Sequence, residues 1–216
     1  VLVGYDVRRG YSGSFRDINF DLHKFVGHEV MVTLVAFLLR EKHWDLLADL
    51  LSREILVKGP NGDKMRRFDD LSSHLKLLTF RKERLKTNRV SVHADILKDR
   101  HESGELGRLL PFSEFMEADY FLLLRGEIAL DSRFGHGWFP RSAAFLEHAD
   151  PPRYLREAER RASAEAVAKA LGVPNAAELR DRLTAAKPKL QQIFVHDSPF
   201  WEGPLKRFDV SAVGTR

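Results

Sequence analysis

Hydrophobic residues are densest between Phe20 and Ile55, and the ten residues from Val30 to Leu39 include Thr33 as their only polar member. Apolar residues recur there at spacings of three and four, which is the period of a helix. They form two rows, one of Val26, Val30, Leu34, Phe37 and Leu38, the other of Phe25, Val32, Val35 and Leu39. A helix that is apolar on most sides is normally buried on most sides. The pattern therefore predicts a central core helix at about 20–40, and not a membrane span, which needs about 20 apolar residues.

Four more segments before residue 140 show helical periodicity. The predicted helices cover about 20–40, 43–55, 68–87, 91–102 and 113–126. We expect the first two to form a hairpin, because a single rod would leave too much apolar surface uncovered. Between the second and third, a brief extended piece at 55–57 leads into a predicted tight turn at 59–62, where glycine, proline and asparagine favour turn geometry. Asp69 and Ser113 are the predicted N-caps of the third and fifth helices.

Beyond Pro140 the sequence becomes rich in alanine and arginine. One helix is predicted from Pro151 to Leu171, ended by Gly172, and another starts with a cap at Asn175 and is broken or bent by Pro188. Because alanine offers little apolar surface, these helices are expected to bury little. The predicted organisation is a helical core domain at 1–140 and a peripheral helical subdomain with an irregular tail at 141–216. The predicted fold class is mostly α: a multi-helix bundle around a buried central helix, with little or no β structure.

Composition narrows the functional classes. The 216 residues are 44% hydrophobic and 31% charged, which is typical of a globular protein rather than a disordered one. The absence of cysteine excludes disulfides, thiolate zinc sites and a cysteine nucleophile, and it fits a reducing compartment. Because no signal peptide or membrane span is predicted, we expect a cytoplasmic protein. The initial Val1 and the excess of arginine over lysine (23 to 12), which high-GC coding produces, favour a piece of a larger bacterial intracellular protein.

The segment from Arg81 to Arg89 concentrates positive charge. It carries five basic residues and one acid, so its net charge of +4 equals that of the whole chain. Basic side chains at this position complement the dipole at the end of the third helix, which is the more frequent arrangement. The alternative is contact with phosphates, which would give salt-sensitive nucleic-acid binding. The candidate nucleic-acid-binding residues are Arg81, Lys82, Arg84, Lys86 and Arg89.

Asp119 is the candidate buried polar residue. It lies four residues from both Phe115 and Leu123, among the most apolar neighbours of any carboxylate in the chain. A carboxylate in such surroundings must be paired, or its charged form is penalised, which is how acid–base residues are tuned. We favour a buried or half-buried ion pair with an arginine, because no second carboxylate at a fixed spacing accompanies Asp119.

The nine histidines do not form a recognisable metal or catalytic motif. His23 and His28 are five residues apart and do not share a helix face, and there is no His-Glu-x-x-His. His93-Ala94-Asp95 lacks the distant partners of a metal phosphohydrolase, and the adjacent triad residue types at 196–198 do not make a triad. Glycine-rich phosphate loops are absent. We therefore predict no metal and no cofactor, with the histidines at the surface or the edge of the core.

Two pairs, Arg67 with His74 and Arg141 with His148, each have six residues between them. This pattern in a helical chain is similar to that of the HEPN-type ribonucleases. The resemblance implies RNA cleavage without a metal, in which the arginine holds a phosphate and the histidine serves the acid–base step. Phe68 follows Arg67 at a position where the family often has a polar residue. About three such spacings are expected by chance in a chain with so many arginines and histidines.

Three functions follow from the sequence. The first is a non-catalytic interaction or regulatory module whose partner is another protein or the rest of a larger chain. The second is a module that contacts nucleic acid through the basic 81–89 segment. The third is a HEPN-like ribonuclease. The interaction module is the leading hypothesis, because for each candidate set of catalytic residues a purely structural role is more probable than a catalytic one.

Overall fold

Helix α1 spans Asp21–Arg40 and contributes one side to the hydrophobic core. The computed structural model describes residues 21–59, 62–72, 75–86, 91–129, 137–142, 145, 150–193 and 204–216. The row of Val32, Val35 and Leu39 is buried, and this side of α1 packs against α6, which spans Phe112–Ile128. The predicted fold class is confirmed: the described chain is a mostly α, multi-helix structure with one two-stranded sheet.

The first two helices form the predicted hairpin. After Arg40 the backbone turns through Lys42, whose φ of 57° is in the left-handed region, and α2 runs from Trp44 to Ser52. The predicted end at residue 55 is wrong by about one turn. Arg53 is already extended, because Ile55 begins a β-strand.

A β-hairpin follows α2 and supplies the β structure of the described residues. Strand β1 (Ile55–Gly59) pairs antiparallel with β2 (Gly62–Arg66), with Ile55 opposite Arg66 and Gly59 opposite Gly62. Gly62 has a φ of +99°, a conformation that side-chain-bearing residues rarely adopt. The predicted turn falls between these two glycines, and its residues 60 and 61 lie outside the described part of the chain.

The single helix predicted at 68–87 is wrong. The chain forms a short 3₁₀ turn at Phe68–Leu71 and then a separate helix, α3, at Lys76–Leu85. Ser72 lies outside both, because its hydroxyl oxygen accepts a hydrogen bond from the backbone N–H of Phe139 at 2.8 Å. Asp69 is not the N-cap either: the Asp70 carboxylate accepts from the N–H of Arg67, which closes the 3₁₀ turn.

Helices α4 to α6 follow the predicted positions closely. Helix α4 spans Val92–Ser103 and is capped by Ser91, whose hydroxyl accepts from the N–H of Ala94. A short helix α5, at Glu105–Leu109, occupies a stretch that reads as loop in the sequence. Helix α6 begins at Phe112 after Pro111, one residue before the predicted cap Ser113, because proline favours the entry into a helix.

The helix predicted at 151–171 is divided into α7 (Arg153–Glu157) and α8 (Arg161–Ala170). The break is stabilised by a segment far along the chain. Gly214 donates its N–H to the carbonyl of Ala158, and Arg216 exchanges backbone hydrogen bonds with Glu159 and Arg161. Gly172 ends α8 with a φ of +73°, as its position predicts.

Helix α9 spans Ala176–Ile193 and contains Pro188. Of the two predicted effects of Pro188, a break does not occur, and a bend stays a prediction. Its start is the predicted one, since Asn175 accepts a hydrogen bond from the N–H of Glu178. After it, 3₁₀ turns at Pro204–Arg207 and Val210–Ala212 form part of the tail that was expected to be irregular. Residues 197–203 of the predicted tail lie outside the described part of the chain.

The late helices contribute to the same apolar core as α1 and α6. The expectation that they bury little is wrong, because they carry leucines as well as alanines and α8 packs against α2. Their buried leucines are Leu155, Leu171, Leu179, Leu183 and Leu190. The division into two domains at residue 140 stays a prediction.

Helix α1 is one helix of the described chain that is long and apolar enough to cross a membrane, with a mean hydropathy of 1.5. Such a test is also passed by core helices, and 44% of its apolar window is buried inside the protein. Because α1 buries His28 and Glu29 along with its apolar row, we assign it to the core.

Candidate functional site

One side of α1 presents apolar side chains to solvent. Leu22, Val26, Val30 and Leu34 are spaced four residues apart and are 68%, 39%, 44% and 43% exposed; we call them the α1 stripe. Val26, Val30 and Leu34 belong to a row that the sequence pattern predicts to be buried, and this prediction is wrong. The opposite row, with Val32 and Val35, takes the core position, so the helix is apolar on two sides and buried on one.

The N-terminal half of the stripe lines a groove between three helices. The groove has a volume of about 300 Å³. Helix α1 contributes Asp21, Leu22, Phe25 and Val26 to the lining. Leu75, Leu77 and Leu78 line it from α3 and the residue before it, and Ile96 and Arg100 line it from α4. Nearly all of these side chains are aliphatic or aromatic, so the groove is suited to apolar groups.

Two carboxylates of α1 fix the walls of the groove. Asp21 accepts a hydrogen bond from the backbone N–H of Leu77 at 2.7 Å, which caps the first turn of α3 from another helix. Glu29 accepts two hydrogen bonds from Arg100, at 2.8 and 2.9 Å, and so joins α1 to α4. These hydrogen bonds, and then the charge of Glu29, raise the pKa of Arg100 above its ordinary value.

The basic candidates extend from this groove along α3. Arg81, Arg84 and Lys86 are exposed, and Leu77, Phe80, Arg81 and Arg84 follow the three-four spacing of one helix face. Leu77 and Phe80 are 50% and 55% exposed. Lys82 lies within α3, and Arg89 lies outside the described residues. We call Arg81, Arg84 and Lys86 the basic row.

Asp119 lies in a second, fully buried arrangement, which we call the polar cluster (His28, Asp119, Trp138 and Ser142). Its carboxylate accepts from the indole Nε1–H of Trp138 at 2.6 Å, from the N–H of Ser142 at 2.8 Å and from the hydroxyl of Ser142 at 2.7 Å. The imidazole Nε2 of His28 is 3.5 Å from Oδ1, at the outer limit of a hydrogen bond, and its ring stacks on Trp138 with centroids 4.8 Å apart.

These donors decide the ionisation of Asp119. Burial by itself raises the pKa of a carboxyl group, but the contact with His28 and the donors of Ser142 and Trp138 outweigh it and lower the pKa of Asp119 below its ordinary value. Burial lowers the pKa of Arg141, and the negative charge of Asp119 offsets part of that effect. The hydrogen bonds to the Asp119 carboxylate come from Trp138 and Ser142, and Arg141 interacts with its charge. The predicted ion pair with an arginine stays a prediction.

Among the described histidines, His23 and His43 are exposed as predicted, and three others differ from the prediction. His28, His93 and His101 are buried, at 2%, 8% and 1% exposure, and not at the surface or the edge of the core. His28 and His93 face each other edge to face with centroids 5.4 Å apart. Within the described residues, no three His, Asp or Glu side chains are grouped as a metal site would require.

The polar cluster contains the residue types of a nucleophilic triad in a different order. In a triad the histidine lies between the hydroxyl and the carboxylate. Here the hydroxyl of Ser142 and the imidazole of His28 both contact Asp119, so the histidine has no serine to deprotonate. The arrangement joins α1, α6 and the segment at 137–142, which is a structural role.

The residues of the HEPN-like pattern are only half described. Arg67 donates its backbone N–H to Asp70 within the 3₁₀ turn, and Arg141 donates from its guanidinium to the carbonyl of Ser72 at 2.9 Å. His74 and His148 lie outside the described residues. The ribonuclease alternative therefore stays a prediction.

Sequence reasoning found Asp119 but missed its partners and the stripe. His28 is four residues before Val32 and seven before Val35, so its place on the buried row could have been read from spacing. Trp138 and Ser142 had no such signal, because both follow α6 in a stretch without periodicity. The stripe was visible as a second apolar row, but the pattern does not say which of two apolar sides is covered.

Comparison with protein-family models, with curated proteins and with solved structures gave no match to this chain.

Proposed function

We propose that this chain is a non-catalytic interaction module that binds another macromolecule through the groove and the α1 stripe. The observation that supports this most directly is the uncharged, exposed apolar face of the central helix. Contiguous exposed apolar surface on a folded chain commonly marks a binding site. The charged residues of the first half of α1 do not lie on this face: Asp21 and Glu29 are buried, and Lys24 contacts Asp21 at 3.7 Å.

The surface is large enough to contribute to affinity. When a partner buries the exposed half of a leucine or valine side chain, the binding free energy gains about 1 kcal/mol. The four stripe side chains together with Leu77 and Phe80 would thus supply roughly 6 kcal/mol before the cost of association. A polar rim and further contacts would be needed to reach micromolar affinity, which corresponds to about 8 kcal/mol.

The polar cluster supports the same function indirectly. It fixes α1 on α6 through Asp119 and His28, and the Glu29–Arg100 pair fixes α1 on α4. A binding face on a helix held from two sides is preorganised, so less conformational freedom is lost when a partner binds.

Selection from a displayed library of helical peptides tests this proposal without a known partner. The immobilised wild-type chain should enrich apolar peptides, and Val26→Asp with Val30→Asp should abolish their binding. Leu46→Asp with Leu109→Asp is the matched control, since both leucines are exposed (58% and 63%) on other helices. Failure to enrich any peptide, or binding that the stripe substitutions do not change, would overturn the proposal.

A second proposal is nucleic-acid contact through the basic 81–89 segment. Its support is that Arg81, Arg84 and Lys86 are exposed beside Phe80, an aromatic side chain on which a base could stack. Binding of labelled single- and double-stranded RNA and DNA across a salt series tests it. Affinity should fall steeply with salt and with Arg81→Glu plus Arg84→Glu. No binding at low salt, or binding unchanged by these substitutions, would contradict it.

A further inference from the structure

We infer that the groove and the α1 stripe accept an amphipathic helix whose apolar ridge is flanked on one side by carboxylates. This inference rests on the proposed interaction function and names the chemistry of the partner. Three observations carry it: the shape of the apolar surface, the uncharged character of α1 on this side, and the positive charge of α3.

The apolar surface has the form that a helix fills. Leu22, Val26, Val30 and Leu34 repeat every four residues and so form a ridge along α1. Between this ridge and α3 lies the groove of about 300 Å³, walled by Leu77, Leu78 and Ile96. A second helix can place its own row of side chains in such a groove, as in the helix-in-groove mode of recognition.

The charge next to the groove is one-sided. Helix α3 carries four basic residues and one acid, Glu83, and Lys86 follows its last residue. Leu77 lines the groove, and Arg81 and Arg84 follow it on the same face of α3, four and seven residues later. A bound helix with its apolar row on Leu77 would therefore bring its flank close to two exposed guanidinium groups. Carboxylates on that flank match this charge.

A second copy of this chain does not supply those carboxylates from the same surface. The two acidic residues of α1, Asp21 and Glu29, are 3% and 6% exposed and already bonded to Leu77 and Arg100. Two copies joined by their stripes would present no free acid from α1 to the basic row. A symmetric contact of two stripes therefore leaves the basic row unmatched, and the occupant that matches it is an acidic-flanked helix of a different protein.

Nucleic acid fits the basic row but not the groove. Bases need aromatic or planar side chains to stack on, and the exposed apolar residues of the groove and the stripe are leucine and valine. The exposed Arg100 of the groove is already paired with Glu29. Among the described residues of α3, Phe80 is the aromatic side chain next to the basic row. The apolar groove is better explained by aliphatic side chains of a protein partner.

Designed peptides test the inference on the full chain. Two helical probes share one leucine ridge at four-residue spacing, and one carries glutamates along a flank where the other carries lysines. Fluorescence anisotropy should show at least about tenfold tighter binding of the glutamate probe at low salt, and this preference should shrink at high salt. Equal affinity for the two probes, or preference for the lysine probe, would overturn the acidic-flank inference.

Charge reversal tests which basic side chains cause the preference for the glutamate probe. Arg81→Glu with Arg84→Glu should weaken the glutamate probe about tenfold and strengthen the lysine probe. The matched control is Arg53→Glu with Arg108→Glu, which changes net charge equally at two other exposed arginines, 67% and 78% exposed. If the control weakens the glutamate probe as much as Arg81→Glu with Arg84→Glu does, the general charge of the chain is responsible and the inference is wrong.

The two proposals fail in different ways. If neither probe binds, and Val26→Asp changes nothing, the interaction function itself fails. If both probes bind equally and Val26→Asp abolishes both, the interaction function stands and the acidic flank is wrong. Two further measurements complete the design. Sedimentation of the free chain tests self-association, and self-association through the stripe would overturn the inference. Competition by single-stranded RNA is the other: the inference would also be overturned if RNA displaced the glutamate probe from the basic row while Val26→Asp had no effect.

Discussion

The indole of Trp138 donates its Nε1–H to Oδ1 of Asp119 across 2.6 Å, inside a core where neither residue is more than 1% exposed. The two residues are 19 positions apart, and the same carboxylate also holds Ser142. One charged group thereby fixes the backbone of the segment at 137–142 on α6. The first two predictions concern this group.

Asp119→Ala should lower the free energy of unfolding by about 3 kcal/mol, because it leaves the Trp138 and Ser142 donors buried without an acceptor. Asp119→Asn should cost less, since one carbonyl oxygen is kept. Urea unfolding followed by Trp138 and other tryptophan fluorescence measures both. Asp45→Ala, at an 84% exposed carboxylate, is the control. A loss no larger than in that control would show that the cluster adds little to stability.

Acid should remove the contribution of Asp119. Its pKa is lowered in the folded chain, so the ionised carboxylate stabilises the fold above the unfolded pKa of about 4, and this stabilisation is lost as the pH falls through the lower folded pKa. The stability difference between the wild type and Asp119→Asn should stay constant from about pH 5 to 7 and shrink below about pH 4. A difference that grows on acidification would contradict the assignment.

Val32→Ala and Val30→Ala should differ in cost although they lie two residues apart on α1. Val32 is 0% exposed, and deleting its methyl groups should cost about 2 kcal/mol through lost burial and a cavity. Val30 is 44% exposed, and its truncation should change stability by less than about 0.5 kcal/mol. Thermal and urea unfolding of the pair measures which side of α1 is the core side. Equal costs would mean that the stripe is covered.

Gly172→Ala should destabilise the chain by about 2 kcal/mol. Its φ of +73° strains any side chain, and a Cβ there would clash with the guanidinium of the buried Arg125. Gly62→Ala provides the comparison, because φ is +99° but no atom lies within 4 Å of its added Cβ. The amount by which Gly172→Ala lowers the free energy of unfolding more than Gly62→Ala does is the cost of the clash with Arg125. A larger loss at Gly62 would show that backbone strain dominates at both sites.

Local periodicity predicted the helices whose limits depend on nearby residues. Helix α1 ends at Arg40 as expected, and α4 begins at its own cap, Ser91. It failed where a distant residue sets the limit. Helix α3 starts at Lys76 because Asp21, 56 residues before Leu77, accepts its first-turn N–H. The break between α7 and α8 depends in the same way on Gly214.

The candidate sites show the same division. Asp119 could be predicted because its apolar neighbours are close in sequence, whereas its contact His28 is 91 residues away and comes from another helix. The exposed positions of Arg81 and Arg84 follow from their charge. The groove beside them could not be predicted, since it depends on how α1, α3 and α4 are placed together.

The bond from Leu77 to Asp21 makes one amide a reporter of the groove. An N–H in the first turn of a helix ordinarily has no acceptor and exchanges its hydrogen with water quickly. The amide of Leu77 is instead held by a carboxylate that is 3% exposed, so its exchange requires α3 to separate from α1. The exchange rate at this single position therefore measures how often the groove opens, and a ligand that occupies the groove should slow it.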